Sequence, residues 1–188
     1  MRVAAQRVLA NAATQAQRVV IADPRRYHQV AGVKGSCHQP GMSMQHSPGD
    51  AWEWVLHGTI AGKETTHDVV AEWVLGHQYL QLREVSCERD AKGQPAYEAI
   101  VIIGWDQASG QYTCLWLDST GGGGLTGEAM GHAKRGGDEI AFLFKDRGGS
   151  LFQTTFAYSK GTRTWQWLMD DEENGKRQPF ARVTLTRK

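Results

Sequence analysis

The sequence has few cysteines, few prolines and no long apolar run. Its three cysteines, Cys37, Cys87 and Cys114, are an odd number at unpatterned positions, which favours a reducing, cytoplasmic location over a disulfide framework. Only five prolines accompany 22 glycines, a ratio typical of many tight β-turns rather than of disorder. No apolar run reaches the length of a membrane-spanning helix, so no membrane span is expected.

The sequence also lacks an excess of either charge. Its 21 Lys and Arg residues against 20 Asp and Glu residues give a formal net charge of +1, which provides no electrostatic basis for binding nucleic acid. The motifs Gly-x-Ser-x-Gly, the P-loop and His-Glu-x-x-His are all absent. The sequence therefore identifies no catalytic residue, and no cofactor is expected.

The pattern of the chain changes at about residue 50. Residues 1–50 are predicted to form a short helix and then a polar, irregular linker, and residues 1–41 are predicted to be dispensable for folding. A true start at Met42 or Met44 is the alternative, which would make the preceding residues non-native. Residues 51–188 are predicted to form a single β-domain.

From Trp52 onward, apolar residues recur with a period of two, and turn residues separate the segments. The short connections predict an all-β fold, an up-and-down antiparallel barrel of about ten strands, because closure removes the exposed edges of an open sheet. A β-sandwich is the alternative. The predicted strands are Trp52–Ile60, Thr66–Leu75, Gln78–Glu88, Tyr97–Trp105, Gln111–Asp118, Leu125–Gly131, Glu139–Lys145, Leu151–Ser159, Thr164–Met169 and Phe180–Thr186.

One predicted hairpin carries a recognisable pattern. It consists of Gly-x-Asp, a turn, Gly-x-Tyr and then Trp-x-Asp-Ser, at Gly104, Asp106, Gly110, Tyr112, Trp116, Asp118 and Ser119. This pattern resembles the signature of the DUF1579 family, which is small, β-rich and grouped with the calycins (lipocalins and fatty-acid-binding proteins). The resemblance covers roughly residues 52–187. It implies a calycin-like, lipocalin-like β-barrel and does not imply an activity.

Aromatic residues are concentrated in the predicted strands. A barrel of about eight to ten strands is either packed or holds one small ligand, and the resemblance to calycins favours a cavity. We therefore predict binding of a small apolar or amphipathic molecule, with plain core packing as the alternative. The candidate ligand-binding residues are Trp54, His67, Trp73, Tyr79, Arg83, Trp105, Tyr112, Trp116, Asp118, Trp167 and Arg182.

Several polar residues interrupt the apolar strands. Alternation places Asp118 on the face of Tyr112 and Trp116, where it is expected to pair with Arg83 or to anchor a ligand. The adjacent Arg83 and Glu84 must face opposite sides, and the sequence does not decide which of them faces inward.

Two further positions are candidate ligand contacts. His67 is predicted at the cavity mouth. Fatty-acid-binding proteins hold a carboxylate with an Arg-x-Tyr pair in the last strand, and here only Arg182 matches, because Thr184 replaces the tyrosine.

Two other functions remain open at this point. One is an enzyme, a hydrolase or isomerase, that uses His, Asp and Arg from separate strands, such as His67 with Asp118 or Glu84. The other is a filled barrel that binds a partner protein, and a homo-oligomer is also open. His57, His67 and His77 recur every ten residues, but strand parity separates them, so no metal site is predicted.

Overall fold

The computed structural model describes residues 51–121, 125–134, 136–173 and 175–188. The predicted N-terminal helix and linker, residues 1–50, lie outside these residues. The described part of the chain is an all-β, closed barrel of ten antiparallel strands, as predicted. Within the same residues, no helix is long and apolar enough to cross a membrane.

The strands follow one another around the barrel in chain order. Each strand pairs with the next, and the last strand pairs with the first, so the chain forms a closed meander rather than the alternative sandwich. One 3-10 turn, Gly127–Ala129, precedes the sixth strand. The strands are β1 Ala51–Ile60, β2 Lys63–Val74, β3 Tyr79–Ser86, β4 Glu98–Asp106, β5 Gln111–Asp118, β6 Met130–Ala133, β7 Glu139–Lys145, β8 Leu151–Ser159, β9 Thr164–Glu173 and β10 Lys176–Arg187.

Three predicted strands have the observed bounds, namely β5, β7 and β8. The strand predicted at Leu125–Gly131 is wrong, because Thr126 caps a 3-10 turn by accepting a hydrogen bond from the backbone N–H of Glu128, and β6 begins only at Met130. β9 and β10 extend beyond their predicted ends through a charged run. Arg177 pairs with Glu172 across that extension at 3.4 Å, so opposite charges are compatible with strand pairing there.

The register of β1, β2 and β3 determines which side chains face the interior near one end of the barrel. Leu56 lies opposite His67, and His67 lies opposite Ser86, so all three share the inner face. Glu84 is two residues before Ser86 on β3 and is therefore a diagonal neighbour of His67 on the same face. Regular strand pairing alone thus brings two ionisable side chains together inside the barrel.

An aromatic layer fills the middle of the barrel. Trp167 is fully buried and contacts Trp116 and Phe156, with ring centroids 5.3 and 4.7 Å apart. Phe142 packs edge-on against Phe156 at 6.1 Å. Such pairs contribute about 0.5 to 1.5 kcal/mol each beyond the burial of their apolar area.

The cysteines differ in their chemistry. Cys114 is fully buried and free, and burial raises the pKa of its thiol. Cys87 is disulfide-bonded. The expectation of reduced cysteines is therefore wrong for Cys87, and the cytoplasmic location stays a prediction.

Candidate functional site

A cavity of about 640 Å³ occupies one end of the barrel. The residues that line it come from the last residues of the odd-numbered strands and the first residues of the even-numbered strands, as with Ile60 of β1 and Thr65 of β2. We call this the cavity end. Its volume falls within the range of about 300 to 1,000 Å³ that is typical of small-molecule sites.

A hydrogen-bonded chain of three side chains forms one wall of the cavity. His67 Nδ1 lies 2.5 Å from Glu84 Oε1, and the side chains of both residues are almost completely buried, at 5% and 2% exposed. His67 Nε2 lies 2.8 Å from Thr65 Oγ1. With Glu84 as a carboxylate, Nδ1–H is the donor, so Glu84 fixes both the orientation and the tautomer of the imidazole.

Tyr97 and Trp116 continue this wall. The ring of Tyr97 stacks on His67 with centroids 5.8 Å apart and an angle of 24°, and Trp116 Nε1 donates a hydrogen bond to Tyr97 Oη at 3.2 Å. Burial, and the negative charges of Glu84 and Asp118, raise the pKa of Tyr97, although the hydrogen bond from Trp116 acts in the opposite direction. Tyr97 therefore remains a neutral phenol inside a region of negative potential.

Two buried polar atoms at the cavity have no hydrogen-bond partner among the described residues. They are Glu84 Oε2 and Thr154 Oγ1, and both residues line the cavity. An unsatisfied buried polar group costs about 1 to 3 kcal/mol, so native proteins rarely leave one without a reason. These two atoms mark the polar part of an otherwise largely apolar cavity.

The charged residues that line the cavity are mostly acidic. They comprise one lysine, Lys63, and the six carboxylates Glu84, Glu88, Asp118, Glu128, Asp146 and Asp171. Lys63 is paired with Glu88 at 2.7 Å. The sign of this lining is opposite to the net charge of +1 for the whole chain.

Three of the eleven predicted ligand-binding residues line the cavity, namely His67, Trp116 and Asp118. His67 is buried in the wall rather than at the mouth, where it was predicted. Trp167 lies in the aromatic layer and contacts Trp116. Four more predicted residues do not line the cavity, namely Trp54, Trp73, Trp105 and Tyr112; the last two pack edge-on with centroids 4.9 Å apart.

The remaining three predicted residues, Tyr79, Arg83 and Arg182, lie on the outer surface. In β3, Leu80, Leu82 and Glu84 occupy the inner face, so alternation places Tyr79 and Arg83 outside.

The two arginines have partners on that outer surface. Arg83 lies 4.0 Å from Glu98, while Asp118 accepts hydrogen bonds from Thr120, so the predicted Arg83–Asp118 pair is wrong. Arg182 binds Asp170 and the backbone oxygen of Met169 on the outside of β10, so it is not available to a carboxylate in the interior.

The sequence prediction did not include four polar residues of the cavity lining among the ligand-binding candidates, namely Thr65, Glu84, Tyr97 and Thr154. For Glu84 a signal exists, because it continues the phase of Leu80 and Leu82, the more apolar of the two faces of β3. Tyr97 precedes β4 and therefore has no strand phase. Thr154 begins a run of three consecutive buried positions, so no alternation marks it as polar lining.

Comparison with known proteins adds no further assignment. No protein-family model matches the chain, and no curated protein sequence matches it. The described residues also contain no group of three or more His, Cys, Asp or Glu side chains placed to hold a metal ion.

Proposed function

We propose that the protein binds a small amphipathic molecule in the cavity at the cavity end of the barrel. The observation that carries this proposal is a cavity of about 640 Å³ with an aromatic wall and a small number of buried polar atoms without partners. The resemblance to the DUF1579 family, and through it to the calycins, supports the same function. We keep that family relationship as a proposal.

The lining accounts for both parts of such a ligand. Its aromatic members, which would contact an apolar body, are Tyr97, Trp116, Phe144, Phe152 and Phe180. The polar end of the ligand would lie near Glu84 and Thr154, whose buried oxygens without partners give this part of the cavity its polarity.

A neutral apolar dye such as Nile red tests the proposal. Binding should quench or shift tryptophan emission, and Trp116→Phe should remove a large part of that response while leaving the fold intact. The matched control is Trp73→Phe, because Trp73 does not line the cavity and its removal should leave the response nearly unchanged. The proposal is wrong if the dye does not bind, or if the Trp116 variant responds as the wild type does.

A second candidate function is ester hydrolysis, and the Glu84–His67–Thr65 chain of hydrogen bonds favours it. The order of acid, imidazole and hydroxyl is the order in which enzymes activate a nucleophile. Thr65 Oγ1 would attack the acyl carbon while its proton passes to His67 Nε2 and then to the departing alcohol. Water would then release the acid from Thr65.

Substitution of Thr65 tests this second function with a panel of p-nitrophenyl esters. Thr65→Ser should retain turnover because it keeps the hydroxyl, whereas Thr65→Val should abolish turnover without weakening the binding of Nile red. Equal turnover by the wild type and Thr65→Val would exclude the hydrolase and leave the binding function standing.

A further inference from the structure

We propose that the ligand of this cavity is an amphipathic cation, with an apolar body and a protonated amine or quaternary ammonium group. This inference rests on the proposed binding function and adds to it the chemical class of the ligand. Three independent features of the lining support the inference. They are the charge of the lining, its aromatic side chains and the burial of the Glu84 carboxylate.

The charge of the lining is the first feature. Asp118, Asp146 and Asp171 line the cavity and form no ion pair with any described residue. Lys63, the lysine of the lining, is already paired with Glu88. A cation therefore meets uncompensated negative charge near the mouth, and carboxylates there also steer it inward. An anionic ligand would find no free positive charge among the lining residues that the structure describes.

The aromatic side chains are the second feature. Tyr97 and Trp116 stand next to the carboxylates of Glu84 and Asp118, and Phe144, Phe152 and Phe180 complete the aromatic part of the lining. A cation held close to aromatic rings is stabilised by their electron-rich faces, and the stabilisation is largest where water is excluded. Neutral apolar ligands would gain no benefit from the neighbouring carboxylates.

Glu84 is the third feature. It is 1% exposed, it lines the cavity, and its Oε2 has no hydrogen-bond partner within the described residues. Oε2 is closed to solvent, so a ligand in the cavity would interact with the Glu84 carboxylate through the attraction between their charges rather than through a direct hydrogen bond. Such an interaction is strong at short range, because the surroundings screen charge far less than water does.

The position of the arginines argues against the opposite class of ligand. A fatty acid would need a cation inside the barrel, and the two arginines among the predicted ligand-binding residues, Arg83 and Arg182, lie on the outer surface. Among the described lining residues, the cavity therefore offers no unpaired cation to a carboxylate headgroup, while it holds several carboxylates suited to an ammonium.

A matched series of ligands tests the inference. Decylammonium, 1-decanol and decanoate share one apolar chain and differ in charge, so each can be titrated against bound Nile red at pH 7. We expect decylammonium to bind about tenfold more tightly than 1-decanol, and decanoate to bind most weakly. If 1-decanol or decanoate binds as tightly as decylammonium, the inference is wrong and the binding function stands. If neither Nile red nor any of the three binds, the binding function itself fails.

Substitutions then assign the preference to the cavity. Glu84→Gln keeps the size of the side chain and should reduce the affinity for decylammonium about tenfold, with little change for 1-decanol. The second variant combines Asp118→Asn and Asp171→Asn. These two side chains are less buried than Glu84, so their replacement should disturb folding less. Asp138→Asn is the control, since Asp138 pairs with Lys160 at the other end of the barrel. If the control lowers the preference for decylammonium as much as the cavity variants do, the inference is wrong.

Discussion

Replacement of either His67 or Glu84 by leucine should destabilise the barrel much more than replacement of both. The two side chains are joined by a hydrogen bond, with His67 Nδ1 and Glu84 Oε1 2.5 Å apart, and both are almost completely buried. Removing one partner leaves the other without this hydrogen bond in a region that water does not reach. Removing both leaves two apolar side chains of similar volume on a face that already contains Leu56 and Val69.

The expected magnitudes follow from what each change leaves behind. His67→Leu leaves a buried carboxylate, which costs about 3 to 5 kcal/mol. Glu84→Leu leaves an imidazole N–H without an acceptor, which costs about 1 to 3 kcal/mol. The double variant should lie within about 1 kcal/mol of the wild type, because apolar replacement of a whole buried pair is often neutral or stabilising. The coupling energy is then about 3 to 9 kcal/mol.

Urea unfolding, followed by tryptophan fluorescence, measures all four free energies of unfolding in this cycle. The matched control is the cycle of Arg83 and Glu98, an exposed pair at 4.0 Å on the outside of β3 and β4, whose coupling energy should stay below about 1 kcal/mol. If the two buried substitutions are additive, the pair is not the interaction that we describe. A stable double variant that has lost ligand binding would show that the pair is retained for function rather than for stability.

Three further predictions concern other parts of the barrel. Gly58→Ala should lower the free energy of unfolding in urea by more than about 2 kcal/mol, because the added Cβ would lie 2.3 Å from the backbone oxygen of Arg182. The control Gly110→Ala, with open space around the new Cβ, should lower it by about 1 kcal/mol. Equal losses would refute the close approach at Gly58. Cys114 should react with iodoacetamide only on unfolding, as mass spectrometry can show, and rapid labelling of the folded protein would contradict its burial. The pKa of Tyr97 is raised in the folded state, so its contribution to the free energy of unfolding should be complete below pH 10 and should decline as the pH rises further. Tyr97→Phe should remove this contribution to the decline. An unchanged pH dependence in the variant would refute the prediction.

The sequence predicts the barrel well, because its strands carry a clear alternation and short turns. β5 shows this best, since its predicted bounds match and the parity of Trp116 and Asp118 places both at the cavity. The prediction fails where the alternation is equivocal. In β3 both faces contain long side chains, so the outward position of Arg83 was not decided by pattern alone.

The contents of the cavity are harder to predict than its walls. Arg182 was assigned to the interior from a family pattern, but it follows the buried Ala181 and precedes the buried Val183, so alternation alone places it outside. Tyr97 reaches the cavity from a connection, where no periodicity applies. The contact between His67 and Glu84 depends on the register of β2 and β3, which the sequence does not specify residue by residue.

The even number of strands has a consequence for how the barrel can be attached or extended. Because ten strands alternate in direction, β1 starts and β10 ends at the same rim, opposite the cavity end. A tether, a fused domain or an immobilising tag placed after Lys188 would leave the ligand entrance open. The five connections around the entrance can in turn change in length or sequence without interrupting the pairing of β1 with β10 that closes the barrel.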